Sequence, residues 1–449
     1  MDRTEAFDQP DPAPGIPSAT DLDTTGAVAG DIALRATVTS GAPEVAGREA
    51  TPPSHGAPGQ RELAQAEFRT PHVLQVGWGA FRATLQGVLA EAGIQHPLLV
   101  TDRIVRNLGS ITEAVEALSP AVRFAAVFDE IPGEPTTREV EAGVRLLGTE
   151  RCDGIVAIGG GAVLDTAKAV ALLAANGGRL PDYQGVNRFP RAGLPLVAVP
   201  TTAGTGSEVT RFTVVIDPDT RVKMLITDSK MVPRVAIVDP SLTVEAPPRV
   251  TASAGVDALT HAIEAYVSRK ANPLTDSLAL SAIRRLTWSL PRAYEDGRDV
   301  AARSAAAIGA LEAGLAFSNA SVALVHGMSR PLGAVFGVPH GIANAMLLPT
   351  VMEYSLAAAP GRYRDIAQAL GVDTRGTDDE AAAGQGLALV QDLCRRLGIP
   401  SLSGYGIDPA QLEREARKMA EDALASGSPA NNPRVPTAEE IVALYRQAV

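Results

Sequence analysis

From about residue 68 the chain alternates short apolar runs with longer segments of helical periodicity. The runs "HPLLVTD" near 96, "RFAAVFD" near 123, "GIVAIGGG" near 154 and "LPLVAVPTT" near 194 are spaced by helix-like segments such as "AVLDTAKAVALLAA". Strands that are apolar throughout, rather than alternating, belong to a parallel sheet covered on both faces, so an α/β nucleotide-binding pattern is expected. Two more strand-like runs, "RFTVVID" and "VAIVDP", precede a change of texture near residue 245. Beyond it, stretches such as "TDSLALSAIRRLTWSLPRAYEDG" and "ARSAAAIGALEAGLAFSNASVAL" have helical length and Ala/Leu-rich periodicity, and strand-like runs largely vanish. The expected organisation is an α/β dinucleotide-binding domain with a parallel sheet over 67–245, followed by an all-helical domain over 246–449. Residues 1–66 are rich in Pro, Gly, Ala, Ser and Thr, with Phe7 their only aromatic residue. So little large apolar surface cannot offset the entropy of ordering a backbone, and a disordered tail is expected there.

Composition narrows the function classes. Lys and Arg number 40 against 51 Asp and Glu, a formal charge of -11 over 449 residues, so the average surface repels polyanions and nucleic acid is not an expected partner. The two cysteines, Cys152 and Cys394, lie too far apart in sequence for a secreted disulfide framework. No apolar run reaches the roughly 18 to 20 residues that span a bilayer, and the acidic, Pro-rich start lacks the basic and apolar regions of a signal peptide. A soluble cytoplasmic protein is expected.

Three stretches at strand ends carry cofactor chemistry. In "GIVAIGGGAVLDTAKAV" a strand runs into Gly159, Gly160 and Gly161 and then a helix, a turn that brings backbone amides and a helix N-terminus close to a phosphate. The spacing is neither GxGxxG nor a P-loop, so tight structural turn chemistry explains the glycines equally well. "VAVPTTAGTGSEVTRF" ends a strand in small residues, among them Thr201, Thr202, Thr205 and Ser207, whose hydroxyls suit a ligand lying across the sheet edge. Asp102 in "LLVTD" either accepts bonds from a ribose diol, favouring NAD over NADP, or caps the helix that follows.

The helical half offers a metal site. "GVDALTHAIEAY" places Asp257 and His261 four residues apart, one helical turn, where they form either a surface ion pair or half of a donor set. Of the six histidines in the chain, His326 in "LVHGMSRPLGAVFG" and His340 in "VPHGIANAMLLP" share this half and stand beside glycine or proline in apolar sequence. An Asp with three imidazoles suits Fe(II) or Zn(II) and leaves a position for a substrate oxygen.

The motifs "GGGAVLDTAK", "PTTAGTGSE", "GVDALTHAIEAY" and "HGMSRPLGAVFGVPHGIANAMLLP" occur in the order and near the spacing of the iron-containing (group III) alcohol dehydrogenase family, which the chain resembles from about residue 68 to its end. The resemblance implies a dehydroquinate synthase-like architecture with the active site between the two domains. It implies Asp257, His261, His326 and His340 as ligands of one divalent metal, Fe2+ or Zn2+. It further implies Gly159 to Gly161 under the NAD(H) pyrophosphate, Asp165, Thr201, Thr202, Thr205, Ser207 and Lys223 about the cofactor, Asp102 at the ribose, and assembly as at least a homodimer. The expected reaction is metal-dependent hydride transfer between NAD(H) and an alcohol or aldehyde.

Two departures qualify the resemblance. Arg330 stands where many members carry a second histidine near the nicotinamide; arginine cannot relay protons near neutral pH, and it serves either an anionic substrate or an ion pair that closes the cleft. Ala162 replaces a common Ser after the glycine turn. Rival readings are other enzymes of this architecture (a glycerol dehydrogenase, a dehydroquinate synthase-like cyclase, a maleylacetate reductase without metal), a hydroxyacid-oxoacid transhydrogenase, and a non-catalytic metal- and nucleotide-binding protein. "PTTAGTGSE" and the full Asp/His set favour the dehydrogenase.

Overall fold

The apolar runs become strands, in chain order β1 (Val73–Val76), β2 (Pro97–Val100), β3 (Ala126–Phe128), β4 (Gly154–Gly159), β5 (Gly185–Val186), β6 (Leu196–Pro200), β7 (Phe212–Asp217), β8 (Val222–Thr227) and β9 (Val235–Val238). They are seen in a computed structural model that describes residues 66–118, 121–220 and 222–449, so the expected tail over 1–66 falls, but for its last residue, outside the described residues. Six strands form one parallel sheet in the order β1-β9-β6-β4-β2-β3. Every residue of β2, β4, β6 and β9 is buried, whereas β1 and β3 at the edges are partly exposed. Helices α1 (Ala80–Ala92), α2 (Arg103–Arg106), α3 (Gly109–Glu116), α4 (Thr137–Thr149) and α5 (Gly161–Asn176) connect the strands of this half.

Successive strand residues point to opposite faces, and both faces are covered. Leu98, Ile155, Ala157 and Ala198 pack with Val163, Leu164 and Val170 of α5. Leu99, Val156, Ile158 and Val197 pack with Phe81, Leu85 and Val88 of α1. Strands buried on two sides must be apolar at every position, which is why these runs do not alternate.

The run "RFTVVID" departs from this pattern. Its strand, β7, lies in a second sheet, β5-β8-β7, as an antiparallel partner of β8. β8 comes from "VKMLIT", a run not expected as a strand. Both alternate in burial, the signature of a ribbon with one covered face.

After Val238 the described residues contain helices and no strand. The helix α6 (Pro248–Val267) is buried on all sides from Val256 to Val267 and packs against α7 (Pro273–Glu295), α8 (Val300–Ala320) and α10 (His340–Ser355), with α9 (Leu324–Phe336) alongside. By length and average hydropathy α8 is apolar enough to cross a membrane, although no unbroken apolar run in it reaches that length. It nonetheless carries Arg303 and Glu312, and two thirds of its most apolar window (67%) is buried in the fold, so it serves here as a core helix.

The two halves meet backbone to backbone at Gly206, in the threonine-rich loop after β6, and Gly314 of α8. A Cβ on Gly206 would lie 2.6 Å from the Gly314 Cα, and Gly206 has φ +62°, a left-handed conformation that disfavours side chains. Gly206→Ala should therefore lower stability by about 2–4 kcal/mol, from the left-handed penalty and the overpacked contact together. Gly87→Ala, in open space on α1, should leave stability unchanged or raise it by up to about 1 kcal/mol. Guanidinium chloride unfolding of both variants beside the parent checks this; parental stability in Gly206→Ala would refute the contact's role.

Candidate active site

α6 presents Asp257, His261 and Glu264 at positions i, i+4 and i+7, one face of the helix. α9 brings His326 in its first turn, and α10 opens with His340 directly after Pro339. One donor atom from each of Asp257, His261, His326 and His340 lies within 4.8 Å of the others. Asp257, His261 and His326 are buried, and His340 is partly so.

The cluster is rich in acceptors and short of donors. Asp257 Oδ1, His326 Nε2 and His340 Nε2 lie 2.6, 3.0 and 3.1 Å from one nitrogen, Asn344 Nδ2, which has two hydrogens for three acceptors. The Oδ1 of Asn344 and the Nδ1 of His261 have no partner among the described residues. Converging lone pairs from one carboxylate and three imidazoles, with too few hydrogens to answer them, are the donor set a divalent cation needs, and the residues fit one. Burial opposes ionisation of Asp257, but the three imidazoles and the Asn344 amide outweigh it and hold the carboxyl below its ordinary range. Burial above all pushes His326 and His340 well below the usual imidazole range, against the charge of Asp257, which acts to raise both.

Glu264 was not foreseen as a site residue. Its carboxylate accepts the backbone N–H of Ala323 at 2.9 Å and of Val325 at 2.5 Å, and lies 2.6 Å from His326 Nδ1. The His326 ring is thereby held with Nδ1–H toward Glu264 and Nε2 toward the cluster, the usual outer-shell arrangement for a metal-binding histidine. Burial raises the Glu264 pKa to about 7 against these bonds. The signal was present in "DALTHAIE", where the glutamate lies seven residues after Asp257, two turns along the same face. Asn344, one turn after His340, could have been found the same way. His261 is oriented by packing, its ring stacked on Phe317 at 4.1 Å.

A cavity of about 280 Å³ joins the three clustered histidines to the strand ends of the α/β half. Gly161, Asp165, Thr205, Ser207 and Lys223 line it from one side, and His261, His326, His340 and Arg330 from the other. Other expected cofactor residues, Asp102, Gly159, Gly160, Thr201 and Thr202, are not on its wall. Asp102 caps α2, its Oδ1 accepting Val105 N–H at 2.8 Å. Gly159 is required by packing, since a Cβ there would lie 2.6 Å from Val163. Thr201 is buried, its N–H bonded to the Gly159 carbonyl. Asp165 is a clamp: it accepts from Ser207 Oγ at 2.5 Å and from Val214 N–H at 2.9 Å, tying α5 to the threonine loop and to β7. Lys168, also not foreseen, lies one turn on with its Nζ bonded to Thr210 Oγ1 and the Phe212 carbonyl and 3.6 Å from Asp165. Lys223 is paired with Glu134 at 2.7 Å. The α5 N-terminus has no side-chain cap and no acidic residue in its first turn, leaving its amides to face the cavity beside Ala162.

Comparison with known proteins gives the same outline. Residues 71–240 match the family model described as iron-containing alcohol dehydrogenase, and residues 251–449 the model described as Fe-containing alcohol dehydrogenase family, C-terminal. An NAD-dependent methanol dehydrogenase of Bacillus methanolicus is 38% identical over 385 residues, 85% of this chain and 99% of that protein. A 1,3-propanediol dehydrogenase of Klebsiella pneumoniae is 39% identical over 359 residues, 79% of this chain and 92% of that one. A crystal structure of 1,3-propanediol oxidoreductase superposes with a TM-score of 0.83 at 37% identity, covering 86% of this chain and all (100%) of that one.

Glu264→Gln retains the shape but replaces an acceptor oxygen with an amide nitrogen, so the bonds to Ala323, Val325 and His326 cannot all survive. Metal affinity should fall by about 10- to 100-fold. Competition with a chromogenic chelator measures it, and an affinity equal to the parent's would remove Glu264 from this role.

Proposed function

The chain belongs to the iron-containing alcohol dehydrogenase family, and from that premise we propose how its residues share the work of reversible hydride transfer between NAD(H) and an alcohol or aldehyde carbon. The observation that carries the reading is one cavity bordered by an acceptor-rich Asp/His cluster and by an uncapped helix N-terminus at the carboxyl ends of parallel strands. In this reading 67–245 is the cofactor domain and 246–449 the metal domain. Asp257, His261, His326 and His340 would hold one divalent ion, Fe2+ by the family's character, with Zn2+ the other ion that suits these donors. When bound, the metal supplies Lewis acidity toward the substrate oxygen and the nicotinamide gives or takes hydride.

The chain's own groups do the rest. Glu264 holds the His326 ring in the tautomer whose Nε2 lone pair faces the metal position. The Gly161 turn and the free amides of α5 receive the pyrophosphate, with Thr205 and Ser207 beside it. Thr201 and Thr202 shape the loop behind this wall. Asp102, at the end of β2, accepts the ribose hydroxyls and repels a 2′-phosphate. Phe212, Val214 and Phe317 keep the wall apolar, which excludes water and strengthens the polar contacts inside. Arg330 stays charged at neutral pH, its pKa lowered by burial only to about 10, so protons leave by water or a ribose hydroxyl instead.

A reducing cytoplasm suits Cys152 and Cys394, both buried and unpaired. Assembly as at least a homodimer is part of the reading and is supported by the edge strand β1, where Leu74 and Val76, with Trp78 just beyond, are exposed.

Chelation should remove metal and NADH-dependent aldehyde reduction together, with Fe(II) or Zn(II) restoring both; His326→Ala should recover neither. Elemental analysis paired with NADH absorbance decides it, and full turnover in protein shown to be metal-free would defeat the assignment. Asp102→Asn keeps a capping oxygen but loses the charge, so NADPH should gain about tenfold on NADH in kcat/KM. An unchanged ratio would leave Asp102 as a helix cap.

A further inference from the structure

The reaction as proposed gives Arg330 no task. It lies on α9 one turn beyond His326 and on the wall of the same cavity, mostly withdrawn from solvent. Its Nη1 donates to Ser428 Oγ at 2.8 Å, and among the described residues no carboxylate forms an ion pair with it. Three other sheltered cations are answered. Lys223, on the opposite wall, is paired with Glu134. Arg303 donates to Gly297 O, Thr251 Oγ1 and Ala246 O. Arg362 is paired with Asp276. Glu264, the acid whose charge acts on Arg330, is committed to Ala323, Val325 and His326. A guanidinium carries five N–H donors, and holding one away from water without a counter-ion is costly unless an anion comes to it. The expected alternative, an ion pair closing the cleft, is therefore not what the structure contains.

We propose that Arg330 is the recognition group for an anionic substrate, an aldehyde or its alcohol that carries a carboxylate, sulfonate or phosphonate. The substrate's reacting oxygen sits at the Asp257/His261/His326/His340 cluster and its oxyanion sits on the guanidinium fork. The inference rests on the dehydrogenase reading and narrows its substrate class. Arg330 lies one helical turn, about 6 Å along the axis, beyond His326 on the wall of the same cavity, so short aldehydes are the ones to compare. The planar fork matches two oxygens of any of these groups, and the shared chemistry is the oxyanion.

Two measurements test it. With metal-loaded protein and NADH, kcat/KM is compared for 3-oxopropanoate, sulfoacetaldehyde and phosphonoacetaldehyde against propanal, in the parent, in Arg330→Gln and in Arg330→Lys. At least one anionic aldehyde should surpass propanal, and the best of the three identifies the oxyanion. Arg330→Gln should lower the ratio of that aldehyde to propanal by about 100-fold, chiefly through KM, and Arg330→Lys by less, since it retains the charge without the fork. A parent that prefers propanal to all three, or a ratio that Arg330→Gln leaves within about threefold, overturns the proposal. The second measurement does not need turnover: calorimetry of metal-free protein with acetate, methanesulfonate and methylphosphonate. Binding of the matching anion by the parent and its loss in Arg330→Gln support the site, whereas no binding, or binding that Arg330→Gln retains, counts against it. If no aldehyde is reduced at all, the dehydrogenase reading fails by itself, and calorimetry still decides whether Arg330 takes an anion.

Discussion

The carboxylate of Glu264 joins the helical half to its own chemistry. It leaves α6, a helix buried along most of its length, accepts two backbone amides at the start of α9, and fixes the His326 ring from behind. A buried carboxylate is tolerated only when its oxygens are satisfied, so α6, the entry to α9 and the imidazole must keep one arrangement or leave a charge without partners. That restriction makes the Asp/His cluster a preformed set: Asp257 and His261 share the same helix, and His340 follows from the short connection between α9 and α10.

On the opposite side of the cavity Asp165 has a parallel role. By taking bonds from Ser207 and Val214 it holds the threonine loop against α5, and the Gly206–Gly314 contact then seats that loop on α8. The two halves thus approach through small residues and backbone, leaving room for ligands where larger side chains would fill it. The cavity is a consequence of how the halves meet, with the parallel strand ends on one side and three imidazoles on the other.

Much of this was legible in the sequence because periodicity reports burial directly. Most unbroken apolar runs became fully buried strands, with β3 left partly exposed at the sheet edge, and the donor types and their spacing on α6 disclosed half of the Asp/His cluster. The failures are as physical. "VKMLIT" was missed and "RFTVVID" went unassigned to any sheet because short runs do not say which partner they pair with. Asp102 read equally as cap and as ribose ligand; the structure makes the cap and leaves the ribose contact to experiment.

By itself the sequence determined the order of elements, the α/β half followed by the helical half, and the residue types available for metal and cofactor. Those follow from local periodicity and donor chemistry. Only the tertiary structure decided which polar groups answer one another: that Glu264 stands behind His326, that Asp165 and Ser207 hold each other, and that Arg330 reaches the cavity with Ser428 beside it and, among the described residues, no carboxylate in ion-pair contact. These pairings join residues from 42 to 98 positions apart. Whether a charge is satisfied depends on atoms that meet only when the chain has folded, and no local pattern records it.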